Sequence, residues 1–121
     1  MIRFGSPLHK KLVARDDGLC AWHGRGCDPE THVPHHRANR GAGGWKAGDE
    51  LSNLVLLCSE INGLIESDPE YAEAARLRKL KISKFADPEK VPIWLPLAGW
   101  VLLGDDGTVK TTRREEHGGC N

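Results

Sequence analysis

Two adjacent histidines and two later asparagines are the residues of this 121-residue chain best suited to carry out a reaction. His35 and His36 are adjacent, Asn53 follows His36 after sixteen intervening residues, and Asn62 follows after eight more. Hydrolysis of a phosphodiester needs a general base and nitrogen or oxygen ligands for a divalent cation. Imidazole, with an unperturbed pKa near neutrality, suits the first task, and imidazole or carboxamide groups suit the second. The set therefore indicates metal-dependent phosphodiester hydrolysis.

Short apolar segments around these residues predict the elements that would position them. Residues 33–37 predict a strand carrying the two histidines, and residues 54–57 predict a buried strand. Residues 58–67 predict a helix with Asn62 away from its apolar face. A glycine-rich loop from Gly41 to about Glu50 joins the strands, and loops of this length are often functional. This strand–loop–strand–helix order would bring His36 and Asn62 together.

The remaining segments predict two more helices and a hairpin within one domain. Ser6-Pro7 begins a helix over 7–16, and Asp68-Pro69 begins another that extends to about 81. Residues 82–96, with three prolines, predict an extended arm, and residues 100–111 predict a β-hairpin with an Asp-Gly turn. We expect a single α+β domain over 1–112, with a core at about 20–68, the arm and hairpin at about 82–112, and a polar tail over 113–121.

At these residues the chain resembles the HNH endonuclease family. The similar stretch runs from about Cys20 to Asp68, and residues 51–58, LSNLVLLC, match the family's central motif closely. Residues 37–44 and 62–68 look like those of small members encoded by phages of actinobacteria. The resemblance implies a ββα-metal (His-Me finger) core flanked by helices, and metal-dependent hydrolysis of DNA. It implies that His36 is the general base, that His35 and Asn62 hold the active-site metal, and that Asn53 orients His36 by hydrogen bonds.

Two positions depart from the family's usual pattern. The last motif residue is often His, whereas Asn62 makes this chain an HNN variant; Asn still offers a carbonyl oxygen to a hard cation. The residue before the base is often Asp, and here it is His35. The added nitrogen ligand would favour Mn²⁺, Ni²⁺ or Zn²⁺ alongside Mg²⁺, so the identity of the active-site cation stays open.

Cysteine and histidine residues predict a second, structural metal site. Cys20, His23 and Cys27 lie close together in the sequence, and Cys58 follows the second predicted strand. Tetrahedral zinc takes such mixed sets, although the usual partner after Cys58 is missing and the site would be irregular. The alternative is that Cys58 is a small buried hydrophobe and that no zinc binds. Cys120, in the tail, is expected to be a free thiol, and disulfides are not expected inside a cell.

Positive charge is concentrated in the part of the chain that holds the predicted site. Residues 1–46 contain eight Lys or Arg against four Asp or Glu, and residues 47–121 contain nine against thirteen. A basic half suits a polyanion such as DNA, although solvated charges scattered by chance would look the same. Arg37, Arg40 and Lys46 flank the predicted site, so we expect them to hold phosphates.

The sequence has no apolar run of the roughly 18 residues that a membrane span needs, and its start lacks a secretory pattern. We therefore expect a cytoplasmic protein, in a bacterium or a phage-infected host, with DNA as its partner and no membrane contact. Two alternatives stay open. One is a non-catalytic, zinc-stabilised DNA-binding module, and the other is an accessory subunit that acts with phage packaging proteins.

Overall fold

The computed structural model describes residues 2–39 and 49–112. They form three helices and two small antiparallel sheets, a mixed α+β structure. The helices are α1 (Pro7–Asp16), α2 (Ser59–Ser67) and α3 (Pro69–Leu77). The first sheet pairs β1 (His32–His36) with β2 (Leu54–Cys58), and the second has the order β3 (Ile93–Leu95), β4 (Gly99–Leu103), β5 (Val109–Thr111). Within these two ranges, no helix is long and apolar enough to cross a membrane.

Helix α1 begins and ends where the local sequence predicts. The Ser6 side chain accepts a hydrogen bond from the His9 backbone, and Pro7 occupies the first turn, where its missing N–H costs nothing. The helix ends at Asp16, and the C-cap residue Asp17 has a φ of 55°, in the left-handed region. Leu12 is fully buried and packs in a cluster with Leu51, Leu54 and Leu56. These contacts attach α1 to one side of β2.

Strands β1 and β2 followed by helix α2 form the part of the fold that positions the candidate site. The two strands pair antiparallel from His32 opposite Cys58 to His36 opposite Leu54. Every residue of β2 is buried, as its continuous apolar pattern predicts, and α2 begins directly after Cys58. The predicted strand–strand–helix order is therefore present, each strand differing from the prediction by one residue at its ends. The metal that the resemblance adds to this unit stays a prediction.

The C-terminal part differs from the sequence prediction in two respects. Helix α3 ends at Leu77 rather than near 81, and Lys79 then adopts a positive φ of 65°. The predicted extended arm contains a short 3-10 turn (Pro88–Lys90) and strand β3, which pairs with β4 through Ile93 opposite Val101. The predicted hairpin is thus part of a three-stranded sheet. Strand β3 was missed because it has only three residues, too few to show an alternating pattern.

Candidate active site and cysteine–histidine metal site

His35 lies buried on β1 with both ring nitrogens close to oxygen atoms. Its Nε2 lies 2.9 Å from the Leu80 carbonyl oxygen, and its Nδ1 lies 3.3 Å from Asn62 Oδ1 on α2. Burial lowers the pKa of His35, and the nearby charges of Lys81 and His36 lower it further, whereas the bonds to Leu80 and Asn62 oppose the shift. The ring is therefore neutral near pH 7.

The neutral ring of His35 presents a lone pair to Asn62. A carbonyl oxygen can only accept, so the Leu80 contact places the ring proton on Nε2 and leaves Nδ1 unprotonated. Nδ1 and Asn62 Oδ1 then face each other as two acceptors 3.3 Å apart. A divalent cation lying against both atoms would accept their lone pairs. The pair is therefore suited to serve as adjacent ligands of a divalent cation, the role that the resemblance implies for these residues.

His36 is paired with Asp49, a residue that the sequence did not single out. His36 Nε2 lies 2.7 Å from Asp49 Oδ1, and the His36 side chain is 36% exposed. When Nε2 donates to the carboxylate, the free lone pair of the ring is on Nδ1. A partly exposed imidazole held by a carboxylate is the arrangement of a general base whose second nitrogen is available. The signal in the sequence was an Asp at the end of the glycine-rich loop, four positions before Asn53.

Asn53 is fully buried and bonded to the chain that follows His36. Its Oδ1 accepts from the Ala38 N–H at 2.8 Å, and its Nδ2 donates to the Ala38 carbonyl at 3.1 Å. Its own carbonyl accepts from the Arg37 N–H at 2.8 Å. These three bonds hold the backbone directly after His36. Such contacts are what Asn53 would need to orient His36 through the backbone. Asn53 itself bonds to the backbone and not to a reactant.

A cavity of about 210 Å³ lies where the two histidines meet helix α2. His35, His36 and Asn62 line it, together with two residues that the sequence did not predict, Glu66 and Lys81. Glu66 follows Asn62 by one helical turn, so both side chains can face one ligand. Lys81 adds a positive charge close enough to act on His35. The cavity therefore contains nitrogen and oxygen atoms that can bind a cation, and a lysine ammonium group that can bind an anion.

The prediction that Arg37 holds a DNA phosphate is wrong. Arg37 is 1% exposed, and its guanidinium donates to backbone carbonyls in three different segments. The acceptors are the carbonyls of Lys79, Ser52, Pro88 and Val91. With its donors turned inward, Arg37 is a structural residue. Arg40 and Lys46, the other two residues expected to hold phosphates, lie outside the described residues.

The four predicted structural ligands come together in space. The ligand atoms of Cys20, His23, Cys27 and Cys58 all lie within 4.8 Å of one another. His23 Nδ1 lies 3.8 Å from Cys20 Sγ and 3.6 Å from Cys58 Sγ. Neighbouring sulfur and nitrogen ligands of a tetrahedral zinc ion are about 3.5 Å apart, given bonds of about 2.3 and 2.0 Å. This Cys3His group could therefore hold a metal ion such as zinc.

The charge balance of the cysteines also fits a bound cation. Burial raises the pKa of Cys20, but backbone hydrogen bonds at His23, Cys58 and Trp22 outweigh it, so the pKa lies below the usual value. Burial and the neighbouring Cys20 and Cys58 raise the pKa of Cys27 to about 12. Cys20, Cys27 and Cys58 are free cysteines, and neighbouring thiolates repel each other unless a positive charge lies between them. A divalent metal supplies that charge.

A fifth residue touches this cluster. His32, buried at the start of β1, has its Nε2 3.2 Å from Cys27 Sγ, and its Nδ1 has no hydrogen-bond partner among the residues that the structure describes. An N–H donated to a thiolate stabilises the ionised form, so His32 supports Cys27 as a ligand. The sequence analysis overlooked His32 because it lies outside the Cys20–Cys27 spacing. His32 places the cysteine cluster at one end of β1, with His35 and His36 at the other.

In the comparisons with known proteins, no family profile, no curated protein and no solved structure matches this chain. The resemblance to the HNH family therefore rests on the motif residues themselves.

Proposed function

We propose that the protein is a metal-dependent endonuclease of the HNH kind that hydrolyses phosphodiester bonds of DNA. The observation that supports this most is the approach of His35 Nδ1 to Asn62 Oδ1, at 3.3 Å, in a cavity that His36 also lines. Ligands for a cation and a candidate base thus share one concave site, which is the minimum that the reaction needs.

In this proposal, each residue of the site has a defined role in the reaction. His36 takes a proton from water at Nδ1, while Asp49 accepts a hydrogen bond from the His36 Nε2–H at 2.7 Å and stabilises the imidazolium that forms. His35 and Asn62 are the residues that would hold the cation, with Glu66 close enough to contribute a carboxylate oxygen. A divalent cation supplies stabilisation of the charge that develops on the phosphate and its leaving oxygen. Asn53 keeps the backbone after His36 in place.

A plasmid-nicking assay tests this proposal. We expect the protein to relax supercoiled plasmid in Mn²⁺ or Mg²⁺, to stop when EDTA is added, and to resume when the cation is restored in excess. Protein with the matched substitution Glu60→Ala, at an exposed position of α2, should behave like the wild type. Intact plasmid after prolonged incubation with every divalent cation, by protein that is folded, would contradict the proposal.

We also propose that the Cys3His group binds structural zinc, and this supports a second candidate function. A zinc-stabilised module could bind DNA without cutting it, and the Cys20–His23–Cys27–Cys58 group is as compatible with that as with a nuclease. The same assay separates the two candidates, because a non-catalytic module would retard DNA in a gel and leave the plasmid supercoiled in every cation.

A further inference from the structure

Lys81 is the one half-buried lysine in the part of the chain that the structure describes. The other lysines described there are all exposed: Lys10, Lys11, Lys79, Lys84, Lys90 and Lys110. A lysine ordinarily keeps its ammonium group in water unless an opposite charge accompanies it. Among the described residues, no carboxylate forms an ion pair with Lys81. Its placement is therefore not explained by a charged partner within this part of the protein.

The backbone on both sides of Lys81 is bonded to the segment that carries the two histidines. The carbonyl of Leu80, which precedes Lys81, lies 2.9 Å from His35 Nε2. The N–H of Ile82, which follows Lys81, donates to the Arg37 carbonyl at 3.0 Å. Leu80 is also fully buried. Because both neighbours are fixed against β1 and the residue directly after it, the fold holds Lys81 at the candidate active site.

The ammonium of Lys81 supplies positive charge to the candidate cavity. Lys81 lines this cavity of about 210 Å³ beside His35 and Asn62. Burial, and with it the charge of Lys81, lowers the pKa of His35. Glu66 supplies one negative charge to the same cavity, but together with a divalent cation held by His35 and Asn62 the ammonium outweighs it. With a cation bound, the cavity is therefore electropositive and attracts an anion.

We propose that the Lys81 ammonium binds a non-bridging oxygen of the scissile phosphate and stabilises the charge that develops there. This inference rests on the proposed nuclease function and adds a catalytic residue to it. As water attacks, a new P–O bond forms, the bond to the leaving oxygen breaks, and negative charge builds up on the phosphate oxygens. The proton of the water goes to His36 Nδ1, and the leaving oxygen takes a proton from solvent. Lys81 donates hydrogen bonds and transfers no proton.

The inference also defines the class of substrate. The residues known to line the cavity bind a phosphate through charge, and they include no Phe, Tyr or Trp on which a base could stack. A phosphodiester without nucleobases offers the same non-bridging oxygens and the same single negative charge. A small diester should therefore be hydrolysed as well as DNA.

Cleavage rates in saturating Mn²⁺ test the inference with two substrates. These are supercoiled plasmid and bis(p-nitrophenyl) phosphate, whose hydrolysis releases a coloured phenolate. Lys81→Met and Lys81→Gln both remove the charge, and each should lower the saturating rate on both substrates by about 100-fold. The half-saturating Mn²⁺ concentration should change by less than about threefold, because no ligand is lost. Circular dichroism checks the fold, and with two variants the result does not depend on the folding of either one.

Lys84 provides the matched control. It is an exposed lysine three positions after Lys81 and lies outside the residues that line the candidate cavity. Lys84→Met removes the same charge from the same segment and should leave both rates unchanged. A loss equal to that of Lys81→Met would show that the effect comes from the charge of the segment as a whole, which would overturn the inference.

Binding gives a readout that does not depend on turnover. In the His36→Ala protein with Mn²⁺, Lys81→Met should weaken the affinity for a DNA duplex and flatten the slope of log affinity against log salt by about one unit, because one phosphate contact is lost. Fluorescence anisotropy at several salt concentrations measures this slope. An unaltered slope would overturn the phosphate contact.

Three further outcomes would overturn the inference and leave the proposed function in place. If Lys81→Met slows plasmid nicking but not hydrolysis of the small diester, Lys81 binds an adjoining phosphate. If it raises the half-saturating Mn²⁺ concentration without changing the saturating rate, Lys81 acts on the cation site. A wild type that nicks plasmid but leaves the small diester intact would show that the site needs more of the DNA than its phosphate. If the folded wild type cleaves neither substrate in any divalent cation, the proposed function fails and the inference fails with it.

Discussion

At the scale of the residue, Arg37 stabilises the packing of distant segments through backbone carbonyls alone. Its guanidinium joins Ser52, before β2, to Lys79, Pro88 and Val91 in the C-terminal half. Burial, with the positive charge of Arg15, lowers the pKa of Arg37 to about 10, so the side chain is still protonated at neutral pH. A buried charge is tolerated because each of the three guanidinium nitrogens donates to at least one carbonyl.

Substitution of Arg37 should therefore cost stability rather than DNA affinity. Arg37→Met keeps a long side chain but leaves four carbonyls without their donor, and we expect a loss of at least about 3 kcal/mol in the free energy of unfolding. Urea denaturation followed by circular dichroism measures this loss. Arg25→Met, at an exposed arginine, is the matched control and should change stability by less than about 0.5 kcal/mol. Equal midpoints for the two variants would show that the carbonyl contacts contribute little.

At the scale of the element, strand β1 connects the two candidate sites. His32 at its start contacts Cys27, and His35 and His36 at its end form the candidate active site. Cys58, opposite His32 in the sheet, ends β2 and directly precedes α2, so Asn62 lies one helical turn later. A metal in the Cys3His group would fix the beginning of β1 and the beginning of α2 together. With a metal bound there, the position of Asn62 relative to His35 would depend on the cysteine cluster.

Loss of the structural metal should therefore lower thermal stability. Protein purified without chelator should contain about one zinc per chain, and Cys27→Ser should lower the melting temperature by at least about 10 °C. Cys120→Ser, in the tail, is the matched control and should leave the melting curve unchanged. Metal analysis measures the zinc content, and scanning calorimetry measures the melting temperature. Protein free of zinc, with identical melting curves for the two variants, would leave the cysteines as ordinary buried side chains.

The elements that could be predicted from the sequence are those set by local patterns. The cap at Ser6-Pro7 predicts α1, and the continuous apolar run from Leu54 predicts β2, because both signals lie within a few residues. Strand β3 depends on pairing with β4, a partner that no local pattern reveals. The same limit explains why the end of α3 was placed four residues too late, since Lys79 turns the chain to reach Arg37.

At the scale of the whole molecule, the sequence predicted which candidate site residues lie close together, but not which other residues surround them. The Cys3His group was predicted from the residue types and their spacing, whereas the pairing of His35 with Asn62 was implied by the family resemblance. Glu66 and Lys81 line the cavity, and Asp49 contacts His36, only after the chain has folded. An arginine beside the motif could equally be exposed or buried, and for Arg37 only tertiary packing decides.

The central claim is that His35 and Asn62 hold a cation beside His36, which acts as the base. The cleavage rate of supercoiled plasmid, measured as a function of Mn²⁺ concentration, separates these two tasks. Asn62→Ala should raise the half-saturating Mn²⁺ concentration by at least about tenfold, because a ligand is lost. His36→Ala should leave that concentration nearly unchanged and lower the saturating rate by about 100-fold or more, because the base is lost. Curves for both variants that overlay the wild-type curve would contradict the account.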